Sequence, residues 1–180
     1  MRFTLIDRIL ELQPGSQITA VKSLTMAEEY LADHFPNFPV IPGVLMLEAL
    51  TQSAAWLIRR SEDFAHSMVV LKQANNVKYA HFLEPGQTLV IQAEILSQDE
   101  GETRLKAQGT VDGRPTVSAR LTLARYNLAD ANHADAALDE ALRQQLRKLF
   151  GVLYQVRRVP GPGPGVERAA TVGEHSSHAI

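Results

Sequence analysis

Gly43-Val-Leu-Met-Leu-Glu-Ala-Leu-Thr-Gln-Ser-Ala-Ala-Trp-Leu-Ile-Arg59 decides the fold. Its residues favour a helix, yet the apolar ones lie all round instead of along one stripe, so the helix must be enclosed on nearly every side. Segments able to enclose it stand on both sides of it in the chain. Residues 16–23, 69–71, 88–96, 103–111 and 116–126 read as strands, and several alternate with period two, as in Thr88-Leu-Val-Ile-Gln-Ala-Glu-Ile95. Pro14-Gly15, Pro85-Gly86, Glu100-Gly101 and Asp112-Gly113 punctuate them, the last pair sitting between two runs as a tight hairpin signal. An antiparallel sheet curled around one central helix, an α+β fold, is the simplest arrangement.

Composition sets the outer limits. With 180 residues, 45% hydrophobic and 21% charged, the chain suits one domain plus a short appendage. A chain of this length buries about 70% of the surface it exposes when unfolded, so the core needs no staple. The absence of cysteine excludes a disulfide framework, a thiol nucleophile and any cysteine-ligated metal. Eighteen basic against twenty acidic residues leave a net charge of -2 and no field to hold a polyanion, so nucleic acid is not expected as a partner. Asp7, Arg8 and Glu11 interrupt any apolar leader, and Glu48, Thr51, Gln52 and Ser53 interrupt the longest apolar stretch. The expectation is a cytoplasmic protein without a membrane partner.

Beyond residue 126 the composition changes. Residues 127–159 carry Leu138, Leu142, Leu146, Leu149 and Leu153 at three- and four-residue intervals, with Asp139, Arg143, Gln145 and Lys148 on the other face. That pattern predicts an amphipathic helix. Pro160-Gly-Pro-Gly-Pro-Gly165 stops it, and residues 160–180 hold too few large apolar side chains to fold, which predicts a disordered tail. Of the other histidines, only His175 and His178 stand close together, so no metal site is expected.

The chemistry lies in Asp33-His-Phe-Pro-Asn-Phe-Pro-Val-Ile-Pro-Gly-Val-Leu-Met-Leu-Glu48. Pro36, Pro39 and Pro42 hold each preceding residue out of the helical region, which predicts a stiff, extended loop over residues 34–42. A lone histidine in such a loop is more often structural than functional. Glu48 shifts that balance. It falls in the second turn of the enclosed helix among Val44, Leu45, Leu47 and Leu50, where an ionised carboxylate loses its hydration. A carboxyl kept protonated by such surroundings can donate a proton; otherwise it pairs with a buried arginine.

This stretch resembles the hot-dog-fold 3-hydroxyacyl-acyl-carrier-protein dehydratases of type II fatty-acid synthesis. The resemblance rests on His34, Phe35, Pro36, Pro39, Pro42, Gly43, Val44, Leu45, Glu48, Ala49 and Gln52, with weaker likeness from Leu5 to Arg125. Asp33 departs from the family's glycine, and Phe82-Leu83 from its Pro-Val. The resemblance implies a dehydratase domain over residues 1–126, with His34 removing the C2 proton and Glu48, from a neighbouring subunit, protonating the C3 hydroxyl. The amides of Gly43 and Val44, left free at a helix N-terminus, would receive the thioester oxyanion, and Gln52, one turn beyond Glu48, would orient it. It further implies an acyl carrier protein partner, a homodimer with shared sites or a trimer of such dimers, and no cofactor beyond the substrate's own phosphopantetheine. Lys78 and Arg125 are the candidate cations for the carrier. A hot-dog thioesterase and a non-catalytic acyl-binding paralogue are the alternatives.

Overall fold

A computed structural model describes residues 3–35 and 37–155. The expected tail over residues 160–180 lies outside them. Six strands form one antiparallel sheet: β1 (Arg8–Gln13), β2 (Gln17–Ser23), β3 (Met68–Tyr79), β4 (Thr88–Gln98), β5 (Glu102–Val111) and β6 (Arg114–Tyr126), in the order β1-β2-β4-β5-β6-β3. A one-turn helix α1 (Tyr30–Asp33) and the long helix α2 (Gly43–Ser61) fall between β2 and β3, and α3 (Ala136–Leu153) closes the described chain. Among the described residues no helix is long and apolar enough to cross a membrane.

The sheet wraps α2, and the alternation in the strands says how. Leu89, Ile91 and Ala93 of β4, Leu105 and Ala107 of β5, and Leu121 and Leu123 of β6 point inward onto Leu50, Ala54, Leu57 and Ile58 of the helix. Each large side chain so buried contributes roughly 1.5–3 kcal/mol. Helical hydroxyls in this wall turn back on their own backbone: Ser53 donates to the Ala49 carbonyl at 2.9 Å and Thr51 to that of Leu47 at 3.1 Å. The β5–β6 turn is the two-residue type expected of Asp-Gly, with Asp112 at φ 50° and Gly113 at φ 76° and Val111 paired to Arg114.

Several expectations need correction. β1 went unrecognised because Ile9 is its sole fully buried side chain. β3 runs to Tyr79, well past the expected residue 71: residues 72–78 of this edge strand are mostly polar and exposed, and the bulges at Leu71/Gln73 and Asn75/Lys78 break the alternation, so Ala74 and Val77, which pack against the core, form no regular apolar pattern. The first turns of α2 are only partly enclosed: Met46 is buried, Leu45, Leu47 and Glu48 are half-buried, and Val44 is 66% exposed. Residues 128–130 and 133–135 form two 3-10 turns where the long terminal helix was expected to begin. On α3, Leu138 is exposed, while Asp139, assigned to the solvent face, is buried, accepting from the Ser67 hydroxyl and, at 2.9 Å each, from the amides of Leu128 and Ala129. It ties the first of these turns to the body. Arg147 pairs with Asp63 at 2.8 Å, and Phe150 packs between Trp56 and Phe64.

Candidate active site

His34 follows α1 directly, its amide donating to the Tyr30 carbonyl at 3.2 Å. The following loop is not extended throughout. Phe35 sits at φ 51°, a left-handed backbone costly for an aromatic residue, and its carbonyl accepts from the Phe38 amide at 2.8 Å to form a turn. The Ile41 amide then bonds the Leu83 carbonyl at 3.0 Å, which anchors the loop before the helix starts. The His34 ring is half-buried, lies 4.2 Å from the Phe35 ring centroid and has no hydrogen-bond partner among the described residues.

A cavity of about 170 Å³ opens in front of it, lined by His34, Val40, Gly43, Met46, Tyr79 and Phe82 among others. The start of α2 borders it. Among the described residues the amides of Gly43 and Val44 meet no acceptor, as the first turn of a helix dictates, and the helix dipole places partial positive charge there. Gly43 has a tighter reason to lack a side chain than approach by a thioester. A Cβ there would meet the Tyr79 ring at 3.2 Å, so that ring covers the helix start.

Glu48 faces elsewhere. It is half-buried, and its Oε1 accepts from Gln52 Nε2 at 2.9 Å. The orientation of that amide is forced. Gln52 Oε1 accepts from the Leu5 amide at 2.9 Å, so both N–H groups are turned toward acceptors, one to Glu48 and the other to the Phe3 carbonyl at 3.1 Å. Gln52 thereby joins the N-terminal segment to Glu48. Around them lies a cleft of about 500 Å³ that also takes in Thr51, Trp56, Arg59, Leu71 and Leu149. The His34 cavity and the Glu48 cleft have no lining residue in common. Within one chain the structure therefore joins His34 to Gly43 and Glu48 to Gln52, and leaves Val44 on the surface between them.

Four residues around these cavities were not foreseen. Tyr79, which ends β3, lay beyond the strand expected over residues 69–71 and entered only the weaker family likeness, and Phe82 was legible only as a departure from a family pattern. Trp56 and Arg59 read as helix core and helix end, and burial pushes the Arg59 guanidinium down to about 10. Arg125 is no carrier contact: at 7% exposure it pairs with Glu62 and donates to the carbonyls of Asp99 and Glu102. Lys78 is exposed on β3. Among the described residues no group of three acidic or histidine side chains is placed to hold a metal ion.

Known proteins can now be set beside this geometry. A family model described as a FabA-like domain matches residues 1–120. The chain is 34% identical over 122 residues to a 3-hydroxyacyl-[acyl-carrier-protein] dehydratase FabZ of Ruminiclostridium cellulolyticum, covering 68% of this chain and 86% of that one. It is 38% identical over 133 residues to a FabZ of Janthinobacterium sp. (strain Marseille), covering 72% and 85%. Among solved structures, the dehydratase heterocomplex ApeI:P from Xenorhabdus doucetiae matches with a TM-score of 0.60 at 17% identity, over 74% of this chain and 90% of that one. The smu.793 protein of Streptococcus mutans, bound to acetyl CoA, matches with a TM-score of 0.54 at 13% identity, over 69% and 92%. At such identities the solved structures bear on the fold alone, and that fold is the hot-dog. The sequence matches carry more, and by them the chain belongs to the FabA-like family, among its 3-hydroxyacyl-[acyl-carrier-protein] dehydratases of the FabZ kind.

Proposed function

We propose that the protein eliminates water from a (3R)-3-hydroxyacyl thioester held on acyl carrier protein, giving the trans-2-enoyl thioester, at a site completed by two copies of the chain. The family is one of hydro-lyases, and dehydration in fatty-acid biosynthesis is its reaction. One observation carries the shared site: His34 and Glu48 line cavities with no residue in common. The C2 proton and the C3 hydroxyl are a bond or two apart, so the base and the acid must converge on a small volume. A two-fold homodimer brings one copy's loop to its partner's helix.

In this reading His34 takes the C2 proton as general base. Glu48 gives its proton to the departing hydroxyl, and Gln52 holds that carboxyl in place through its bonds to the N-terminal segment. Charge building on the thioester oxygen is met by the amides of Gly43 and Val44 at the positive end of α2. The electron pair left at C2 becomes the C2–C3 double bond as the C3–O bond breaks and the protonated hydroxyl leaves as water, so base, acid and oxyanion donors suffice and the only organic group involved is the phosphopantetheine on the substrate. Residues 1–126 form the dehydratase unit, with residues 127–159 added to it, and the reaction takes place in the cytoplasm with the carrier-borne substrate.

A ladder of 3-hydroxyacyl carrier-protein substrates tests this directly. Absorbance of the conjugated enoyl thioester should rise without release of free thiol. Thiol release without enoyl formation would make the protein a thioesterase, and neither signal at any chain length would leave it an acyl-binding paralogue.

A further inference from the structure

The cleft around Glu48 continues along α2 well past it. Glu48, Gln52, Ala55, Trp56 and Arg59 line it from the helix, Val69, Val70 and Leu71 from β3, and Leu149 from α3. The helical positions share one face because the helix turns every 3.6 residues, and the eleven-residue step from Glu48 to Arg59 spans roughly 16 Å. Between the two charged ends the walls are mostly apolar. Leu149 belongs to a helix beyond the domain matched over residues 1–120, so this end of the cleft is walled by a segment added to the family's fold.

Arg59 stands at that end without a counter-ion. Among the described residues no carboxylate lies within ion-pair distance of it. Its Nε is buried with no acceptor, and Nη2 reaches the Val69 carbonyl at a long 3.4 Å. The guanidinium lies over the Trp56 ring, 5.3 Å from the centroid. Burial lowers its pKa to about 10, which leaves it charged at neutral pH. A desolvated cation with free donors is costly unless an anion meets it, and a guanidinium suits a carboxylate.

We propose that Arg59 ends the acyl-binding cleft and recognises a carboxylate borne at the far end of the acyl chain. The preferred substrates are then long 3-hydroxyacyl thioesters with a distal carboxylate. The assignment rests on the reading that Glu48 meets the C3 hydroxyl. It also sets a length. An extended chain of 1.5 Å bonds advances roughly 1.3 Å per carbon, which puts the carboxylate roughly ten to twelve carbons beyond C3.

Trp56 is the chain's one tryptophan, so its emission reports on the cation above it. The full-length protein is titrated with monomethyl dodecanedioate, an ester with a distal carboxylate, and with methyl dodecanoate, an ester with a distal methyl, as wild type, as Arg59→Met and as His34→Ala. The carboxylate-ended ester should alter the emission and bind wild type and His34→Ala roughly tenfold or more tightly than the methyl-ended ester, and Arg59→Met should erase that preference. Equal binding of the two esters by wild type, or a preference that survives Arg59→Met, overturns the assignment. In turnover, the ratio of kcat/KM for carboxylate-ended over methyl-ended substrates of equal length should fall roughly tenfold in Arg59→Met. Failure of wild type to dehydrate even a four-carbon substrate, too short to reach Arg59, refutes the dehydratase reading instead. The fluorescence titration decides the role of Arg59 in either case.

Discussion

If the site is shared, two inactive proteins repair each other. His34→Ala leaves Glu48 and its Gln52 support intact, and Glu48→Gln leaves the His34 cavity intact. Each change removes a general acid or base worth about 10²–10⁴ in rate, so each homodimer keeps about 1% of activity or less. The proposed sharing follows from the geometry of one chain, in which the two groups line separate cavities. Glu48 lies roughly 7 Å along the axis from Gly43, and the loop that carries His34 turns back at Phe35 instead of running alongside the helix. When equal amounts of the two proteins exchange subunits at random, about half of the dimers are mixed, and each mixed dimer has one site with both residues and one with neither. About a quarter of wild-type activity should return, on the order of 25-fold above either parent. The assay is enoyl-thioester absorbance before and after exchange, with the mixed dimers counted by native mass spectrometry. Verified mixed dimers without activity would refute the shared site and require His34 and Glu48 to act within one chain.

Gln52→Leu should lower kcat by about tenfold or more through loss of the Glu48 contact, and cost about 1–3 kcal/mol because the buried Leu5 amide loses its acceptor. Thermal melting and turnover measured together separate the two effects, and an unchanged kcat would remove Gln52 from the positioning of Glu48. Gly109→Ala should destabilise by about 1–3 kcal/mol, because a Cβ there meets Leu89 Cδ1 and Val117 Cγ1 at 2.8 Å in the packed core; an unshifted melting temperature would contradict it. Acid should loosen α3. The hydrogen bond and charge of Arg147 hold the Asp63 carboxyl low, and for Asp139 burial pushes upward but is outweighed by the bonds from Ser67, Ala129 and Leu128 and the charge of Arg143. Both carboxyls bind protons less readily folded than unfolded, so their contribution is complete above the ordinary carboxylate value of about 4 and is lost as pH falls through their lower folded values. Near-ultraviolet dichroism of the Trp56–Phe150 contact should fade in that acid range, and Asp139→Asn should flatten the dependence.

Legibility followed burial inside one chain. The alternation of β4, the extent of α2 to within two residues of its end and the Asp112-Gly113 turn were all readable, since each is set by side chains that meet this chain's own core or by local backbone geometry. Asp139 was not. An amphipathic stripe places a carboxylate outward, and only the positions of the Leu128 and Ala129 amides, which no periodicity encodes, turn it inward. Phe35 was misread because a following proline excludes the right-handed helical region without dictating extension; the left-handed region remained open.

The misreadings near the site share a different cause. The apolar start of α2 was expected to be enclosed, and so was Glu48 within it, yet Val44 is 66% exposed and Glu48 is half-buried. Around that helix start Phe35, Phe38, Tyr79 and Phe82 are exposed as well, with the Phe38 and Phe82 rings 5.4 Å apart. Single exposed apolar residues need no explanation, whereas a group of aromatics at the mouth of a cavity does. A hydrophobic pattern records everything a residue touches in its working state, including a second copy of the chain, while burial within one copy counts only part of it. On this argument the expectation of an enclosed helix start was a statement about the proposed dimer. The cover missing from Val44 and the aromatic cluster, and the distance between His34 and Glu48, are then satisfied by one and the same partner.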